Sequence, residues 1–172
     1  MSSTKLGQCT RVKSLLVLFS YHHNNTEKIA NVFSKVLDAQ IKTPNEINPE
    51  ELQEYSLIGF GSGIYDQKHH KALLDLADKL PQVTDRKAFI FSTSGVSRKF
   101  ATDQSIDDPH SPLREKLVSK GYMIADEYNC AGFNTNSFLR FIGGMNKGKP
   151  NADDLKRAEE CAKNLQRSLH PL

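Results

Sequence analysis

This sequence predicts an α/β domain, a doubly wound parallel sheet with helices on both faces. Three observations carry that prediction. Short continuous apolar runs, Leu15-Leu16-Val17-Leu18-Phe19 foremost, have the length and all-round hydrophobicity of strands buried on two sides. Amphipathic stretches with helical spacing lie between them. Runs and stretches alternate strictly, giving five strands and about five helices. That order implies a parallel sheet, and right-handed crossovers spread the helices over both of its faces.

The elements follow in order. Residues 14–20 form the first strand. Residues 26–37 carry Ile29, Val32, Phe33, Val36 and Leu37 at helical spacing, and Gln40-Ile41-Lys42 is a short second strand. Asn48-Pro49-Glu50-Glu51 reads as a helix start with proline at the first helical position. Residues 55–60 are the third strand, ending in Gly61-Ser62-Gly63. A helix over 70–80 places Leu73, Leu76, Ala77 and Leu80 on one face. Residues 88–92 are the fourth strand. A helix over 112–120 closes on Gly121 at its C′ position, and residues 122–131 are the fifth strand. The longest helix, 151–169, has Leu155, Ala158, Ala162, Leu165 and Leu169 as its apolar stripe and Asn151 as its cap.

Composition narrows the class. At 172 residues, with 38% hydrophobic and 25% charged side chains, the chain has the make-up of one soluble globular domain. Residues 14–172 are assigned to that domain. The polar stretch 1–13 lacks the apolar core of a secretory signal and is read as a flexible N-terminal extension. Three widely spaced cysteines, Cys9, Cys130 and Cys161, do not form a disulfide framework and fit a reducing cytoplasm. The net charge of +3 sits at the chain ends, with no basic stripe interleaved with aromatics, so nucleic-acid binding is not signalled. No G-x-S-x-G elbow, Walker motif or G-x-G-x-x-G is present, which removes the corresponding hydrolase, nucleotide and dinucleotide readings.

In doubly wound sheets ligands bind outside the carboxyl ends of the strands. The loop after the first strand, Ser20-Tyr21-His22-His23-Asn24-Asn25-Thr26, opens a helix and consists largely of neutral hydrogen-bonding residues. A helix start with free N–H groups favours a phosphate. Capping of that helix by Asn25 or Thr26 is the plainer reading. The loop Gly61-Ser62-Gly63-Ile64-Tyr65 joins permissive backbone to an aromatic ring able to stack on a flat ligand. Ser92-Thr93-Ser94-Gly95 again supplies hydroxyls and a glycine. Three such loops at one sheet edge suit a planar ring that carries a phosphate.

The run from Ser20 to Thr26, followed by Glu27-Lys28-Ile29-Ala30, resembles the phosphate loop of flavodoxins and flavodoxin-like proteins. The loops at 61–65 and 92–95 are similar to the two that flank the flavin ring in that family. Gly143-Gly144-Met145-Asn146-Lys147-Gly148-Lys149-Pro150 is similar to the approach to the last helix in some of its members. The resemblance spans about residues 14 to 169. It implies a three-layer sandwich with strand order 2-1-3-4-5 and a non-covalent FMN. Ser20, His22, Asn24, Asn25 and Thr26 would hold the phosphate. Ser62, Gly63, Ile64 and Tyr65 would flank the ring, and Thr93, Ser94 and Gly95 would meet its polar edge. It also implies an electron carrier served by a separate reductase donor and an acceptor protein. An FMN-dependent NAD(P)H- or quinol-linked reductase acting on a quinone or porphyrinogen is the alternative, and a flavin-free anion-binding module the second.

The chain departs from the family pattern in three ways. Asn24 stands where a glycine is usual, no tryptophan is present, and the net charge is mildly basic. Phe100 is a candidate second stacking residue. His22, His23, His69 and His70 are expected near one ligand edge. There, a protonated imidazole would stabilise a reduced, anionic flavin. A metal site is not expected, because no cysteine or carboxylate joins the histidines at ligand spacing. Residues 96–111 are a long polar loop beside the site. In the connection 132–150, Phe133, Phe138, Phe141 and Ile142 are expected to pack onto the body of the domain.

Overall fold

A computed structural model describes residues 13–21, 23–95, 108–135 and 141–169. The expectations placed on His22, Phe100, Phe138 and most of 96–111 and 1–13 lie outside these residues.

Five strands, β1 (Ser14–Phe19), β2 (Gln40–Lys42), β3 (Leu57–Tyr65), β5 (Arg86–Ser94) and β6 (Tyr122–Ala131), pair in parallel in the order β2-β1-β3-β5-β6. Counted among these five alone, that is the expected 2-1-3-4-5. A sixth strand was not expected. The two-residue β4 (Lys68–His69) folds back antiparallel on the end of β3. The hairpin turns on Asp66 and Gln67, both left-handed with φ 47° and 61°. That is the pair of conformations a two-residue turn between twisted strands needs. The segment expected to be a loop from residue 61 onward is therefore sheet as far as Tyr65.

The helices are α1 (Asn25–Leu37), α2 (Lys71–Lys79), α3 (Ser111–Ser119) and α4 (Ala152–Leu169). Side chains alternate along a strand, so β1 feeds two cores. Leu16 and Leu18 pack with Ile29, Phe33, Phe89, Phe91, Ala158 and Leu165 under α1 and α4. Leu15 and Val17 pack with Leu73, Leu76, Ile90, Leu113 and Leu117 under α2 and α3. Gly59 and Gly61 make room on the first side. A Cβ on either would lie 2.4 Å or less from a ring atom of Phe89 or Phe91. The rings of Phe33, Phe89 and Phe91 fill that space with centroids 4.9–5.7 Å apart.

The segment that reads as a helix at Asn48-Pro49 is a 3-10 turn, Pro49–Glu54, with the Asn48 side chain accepting from the Glu50 N–H. Asn151 caps α4 as expected. Its Oδ1 accepts from the Asp154 N–H at 3.1 Å while the Asp154 carboxylate accepts from the Asn151 N–H at 3.0 Å. Gly121 closes α3 at φ +91°. Among the described residues no helix is long and apolar enough to cross a membrane.

Candidate functional site

The carboxyl edge of the sheet carries a solvent-open cleft. Its wall comes from four chain segments: Ser20 and Tyr21 after β1 with Asn25 and Thr26 of α1; Gly63, Ile64 and Tyr65 of β3; Thr93, Ser94 and Gly95 at the end of β5; and Gly132, Phe133 and Asn134 after β6. Nine of the residues singled out in the sequence thus line one cleft. Asn24 and Ser62 do not.

The turn into α1 is made by His23 and Asn24 in succession, with φ 52° and 50°. Asparagine tolerates this left-handed conformation, so Asn24 fills the place of the expected glycine. Its carbonyl accepts from the Lys28 N–H at 3.1 Å, and its side chain makes no cap bond. Neither Asn25 nor Thr26 caps the helix, contrary to the plainer expectation. The Thr26 hydroxyl instead lies 2.8 Å from that of Thr93, tying α1 to β5. Asn25 donates from Nδ2 to the Phe133 carbonyl at 2.8 Å, and its Oδ1 is buried with no partner.

The fourth segment was missed in the sequence. Gly132 donates to the Ser94 carbonyl, Asn134 pairs with Met145, and Asn146 Nδ2 donates to the Gly95 and Gly132 carbonyls. A Cβ on Gly95 would lie 2.4 Å from Asn134 Nδ2, and one on Gly132 2.8 Å from Asn25 Nδ2. His23 reaches the same segment, with Nε2 2.8 Å from the Thr135 hydroxyl and its ring against Phe133. The segment's only local mark in the sequence is that Gly132-Phe133-Asn134 follows a strand end; the bonds to Met145 and Asn146 that hold it at the cleft come from further along the chain. Phe141 and Ile142 do not pack onto the body as expected. They are 76% and 69% exposed in the turn whose Gly144 rests on Phe133.

Ser62 points to the opposite face because Ser62, Ser92 and Asn129 are one row of the sheet, and Gly63, Thr93 and Cys130 are the next. That row is the base of a buried polar network. Ser62 Oγ lies 2.8 Å from His69 Nδ1. Ser92 Oγ lies 2.7 Å from His110 Nε2 and accepts from Asn129 Nδ2. His110 Nδ1 lies 2.9 Å from Glu127 Oε2. Arg114 grips both Glu127 oxygens and pairs with Asp108. The arginine holds the Glu127 and Asp108 carboxyls below the usual carboxylate range.

Ser92, His110 and Glu127 have the connectivity of a Ser-His-acid triad. However, Ser92 is fully buried and its oxygen is already occupied by Asn129, so no substrate carbonyl can reach it.

His69, His70 and His110 do not supply a cation to the cleft. Burial, helped by His110, pulls His69 down to about 3. Burial also lowers His110 against the pull of Glu127, and lowers His70. The expected protonated histidine beside a ligand is therefore absent at neutral pH for these three. His70 stacks flat on Phe19 at 3.6 Å and caps α2 by accepting from the Ala72 N–H. Among the described residues, no three metal-ligating side chains come together, and no charged side chain lines the cleft.

Residues 16–153 match the flavodoxin domain family. The chain belongs to that family. It is 44% identical over 154 residues to an uncharacterized protein of Methanocaldococcus jannaschii, covering 90% of this chain and 98% of that one. Flavodoxin 2 from Bacillus cereus superposes with a TM-score of 0.66 at 16% identity, over 91% of this chain and 99% of that one. A Fusobacterium nucleatum flavodoxin bound to flavin mononucleotide superposes with a TM-score of 0.62 at 14% identity, over 91% and 99%. This flavodoxin-like domain is thus shared nearly end to end.

Proposed function

We propose that this flavodoxin-like chain binds FMN non-covalently in the carboxyl-edge cleft and carries electrons between a reductase donor and an acceptor protein. The observation that carries the reading is the convergence of an uncapped helix start, hydroxyls and a glycine-lined wall in one uncharged cleft.

The residues present fit the group. The first N–H groups of α1 have no intrahelical partners and sit at the positive end of the helix dipole, where a phosphate is favoured. Ser20 and Thr26 flank them. The orphaned Oδ1 of Asn25 is an acceptor and calls for a donor, which suits a ribityl hydroxyl better than a phosphate oxygen. Gly63, Gly95 and Gly132 let backbone approach a flat ring, and Tyr65 lies over Gly63, its hydroxyl 3.0 Å from where a Cβ would stand. When bound, FMN supplies reversible uptake of one or two electrons.

The chain's own part is to bind and orient the group and to exclude water. Among the described lining residues none is a carboxylate, histidine or lysine. These residues offer little general acid or base chemistry for a second substrate beyond the phenols of Tyr21 and Tyr65, which favours a carrier over a reductase.

The test is a visible absorption spectrum of the purified protein and a fluorescence titration of the apoprotein with FMN and with riboflavin. Flavin bands and a preference of tenfold or more for FMN over riboflavin are expected. No binding at micromolar FMN would discard the reading. Turnover of a quinone with NADPH and no added protein would replace the carrier by a reductase.

A further inference from the structure

The strand β3 leaves the parallel sheet before it leaves the cleft. Its pairing with β1 stops at Ser62 and its pairing with β5 stops at Gly63. Among the described residues, Ile64 and Tyr65 of the cleft wall are paired by β4 alone, with His69 and Lys68. A two-residue strand is a weak partner, because a short hairpin is marginal in water unless something packs on it. Lys68 is exposed, so the hold on the hairpin falls to His69, whose side chain is 1% exposed.

His69 is held through one ring nitrogen. Nδ1 lies 2.8 Å from the Ser62 hydroxyl, which also accepts from the His70 N–H at 3.1 Å. Nε2 is buried with no partner. A protonated imidazole carries an N–H on both nitrogens. In this pocket the second N–H would be a buried donor on a buried cation, with nothing to receive it. Among the described residues no carboxylate is placed to offset that cost. His110, at the head of α3, faces His69 with ring centroids 5.1 Å apart and opposes a charge there. Behind it, Glu127 of β6 and Asp108 are both engaged by Arg114. On α2, Lys71 and Asp75 pair with each other, and His70 stacks on Phe19. Asp66 and Lys68, on the hairpin itself, are exposed. Between pH 3 and 6.5, His69 therefore takes up a proton only by leaving its pocket.

We propose that the β3–β4 hairpin is an acid-opened wall of the cleft: the open hairpin, with His69 in water, binds a proton that the closed one refuses, so acid parts β4 from Ile64 and Tyr65 and the cleft releases a bound group faster. The opening itself needs no ligand; its consequence for a bound group rests on the FMN reading. His69 does not line the cleft and acts through Ile64 and Tyr65, so it is a positioning residue.

Hydrogen exchange of the apoprotein tests the opening without any cofactor. The hairpin amides, with the His70 N–H held by Ser62 as the marker, are expected to be about tenfold or more less protected than those of β1. Their protection should fall about tenfold for each pH unit below about 6.5, which is the signature of one proton bound on opening. His70 and His110 are lowered in the same direction and steepen the slope. In His69→Asn, whose amide keeps an N–H near the place of Nδ1, and in His69→Gln, the loss per pH unit should shrink threefold or more. Hairpin amides as protected as those of β1, a protection that ignores pH, or variants that keep the wild-type slope would each overturn the proposal. In FMN-loaded protein, release is followed as the return of free-FMN fluorescence on dilution. Between pH 6.5 and 5.5 it should speed up threefold or more in the wild type relative to His69→Asn. Equal acceleration in both would place the effect on the phosphate's own protonation and overturn the hairpin's hold on the cleft. If the wild-type chain binds no FMN, the cofactor reading fails, while exchange still decides whether the hairpin opens.

Discussion

The two faces of the sheet meet at its carboxyl edge and are built on opposite plans. On the α1/α4 side the wall is neutral and open, and it keeps polar groups in reserve, among them Asn25 Oδ1 and the uncapped start of α1. On the α2/α3 side the adjacent row of the same strands is closed and nearly saturated. There Ser62, Ser92 and Asn129 are bonded to histidines and to each other, with Glu127 and Arg114 behind them. Serine and asparagine stand on both sides, joined by threonine on the open one and by histidine on the closed one. What differs is whether each group already has a partner. A buried polar network with its bonds made is rigid, whereas polar groups left open at a cleft are available to a ligand.

His110→Ala removes the imidazole that joins Ser92 to Glu127 and leaves a void among buried groups. It should destabilise the fold by about 3 kcal/mol, roughly 6–12 °C in Tm for a chain of this size. FMN affinity should stay within threefold. Thermal unfolding and FMN titration of the same variant check both, and a large loss of affinity would show that the two faces are not separable.

Thr26→Val acts on the open side. It deletes the bond to Thr93 at a cost of about 1–2 kcal/mol, and the FMN dissociation constant should rise tenfold or more. An unchanged constant would remove the Thr26 hydroxyl from the binding site.

Acid sharpens the contrast. His69 titrates at about 3 when folded and near 6.5 when unfolded. Below about 6.5 the unfolded chain takes up a proton that the folded chain refuses until about 3. Stability is therefore full above pH 6.5 and falls as pH drops towards 3. His69 alone accounts for about 1 kcal/mol between pH 6.5 and 5.5, and His110 adds in the same direction. Denaturant unfolding across this range should give a shallower acid limb in His69→Asn than in the wild type.

The smallest effect belongs to Asn24→Gly, which relieves a left-handed asparagine. It should stabilise the fold by about 0.5–1 kcal/mol. A Tm that falls instead would mean that the Asn24 side chain has work to do in the cleft.

Much of the fold was legible in the sequence because each strand of the sheet's centre is a continuous apolar run, and because Gly121 and Asn151 mark helix ends chemically. The strand ends were not. β3 and β5 run on through Ser62-Gly63 and Ser92-Thr93-Ser94, where the hydrophobic signal has stopped but backbone pairing has not. The hairpin at Asp66-Gln67 was hidden for a related reason. Its turn uses left-handed conformations without the Asn-Gly or Asp-Gly pair that advertises them. At the site, the loops after β1, β3 and β5 were legible from their hydroxyls and glycines. Gly132, Phe133 and Asn134 were not, because they reach the cleft only through pairing with Met145 and Asn146, which lie more than ten residues further along the chain.

By itself the sequence determined the β-α order and the neutral chemistry of the loop from Ser20 to Thr26, where no lysine or arginine stands before Lys28. Tertiary structure decided the facing. Side chains alternate along a strand, so adjacent residues of one loop-like motif, Ser62 and Gly63 or Ser92 and Thr93, are sent to opposite sides of the sheet. It also decided the charge of the histidines. His69 and His110 are side by side and shut away from water only once β4 and α3 are in place. Desolvation, which no local run of residues encodes, is what holds both neutral, with the nearness of His110 adding to it for His69.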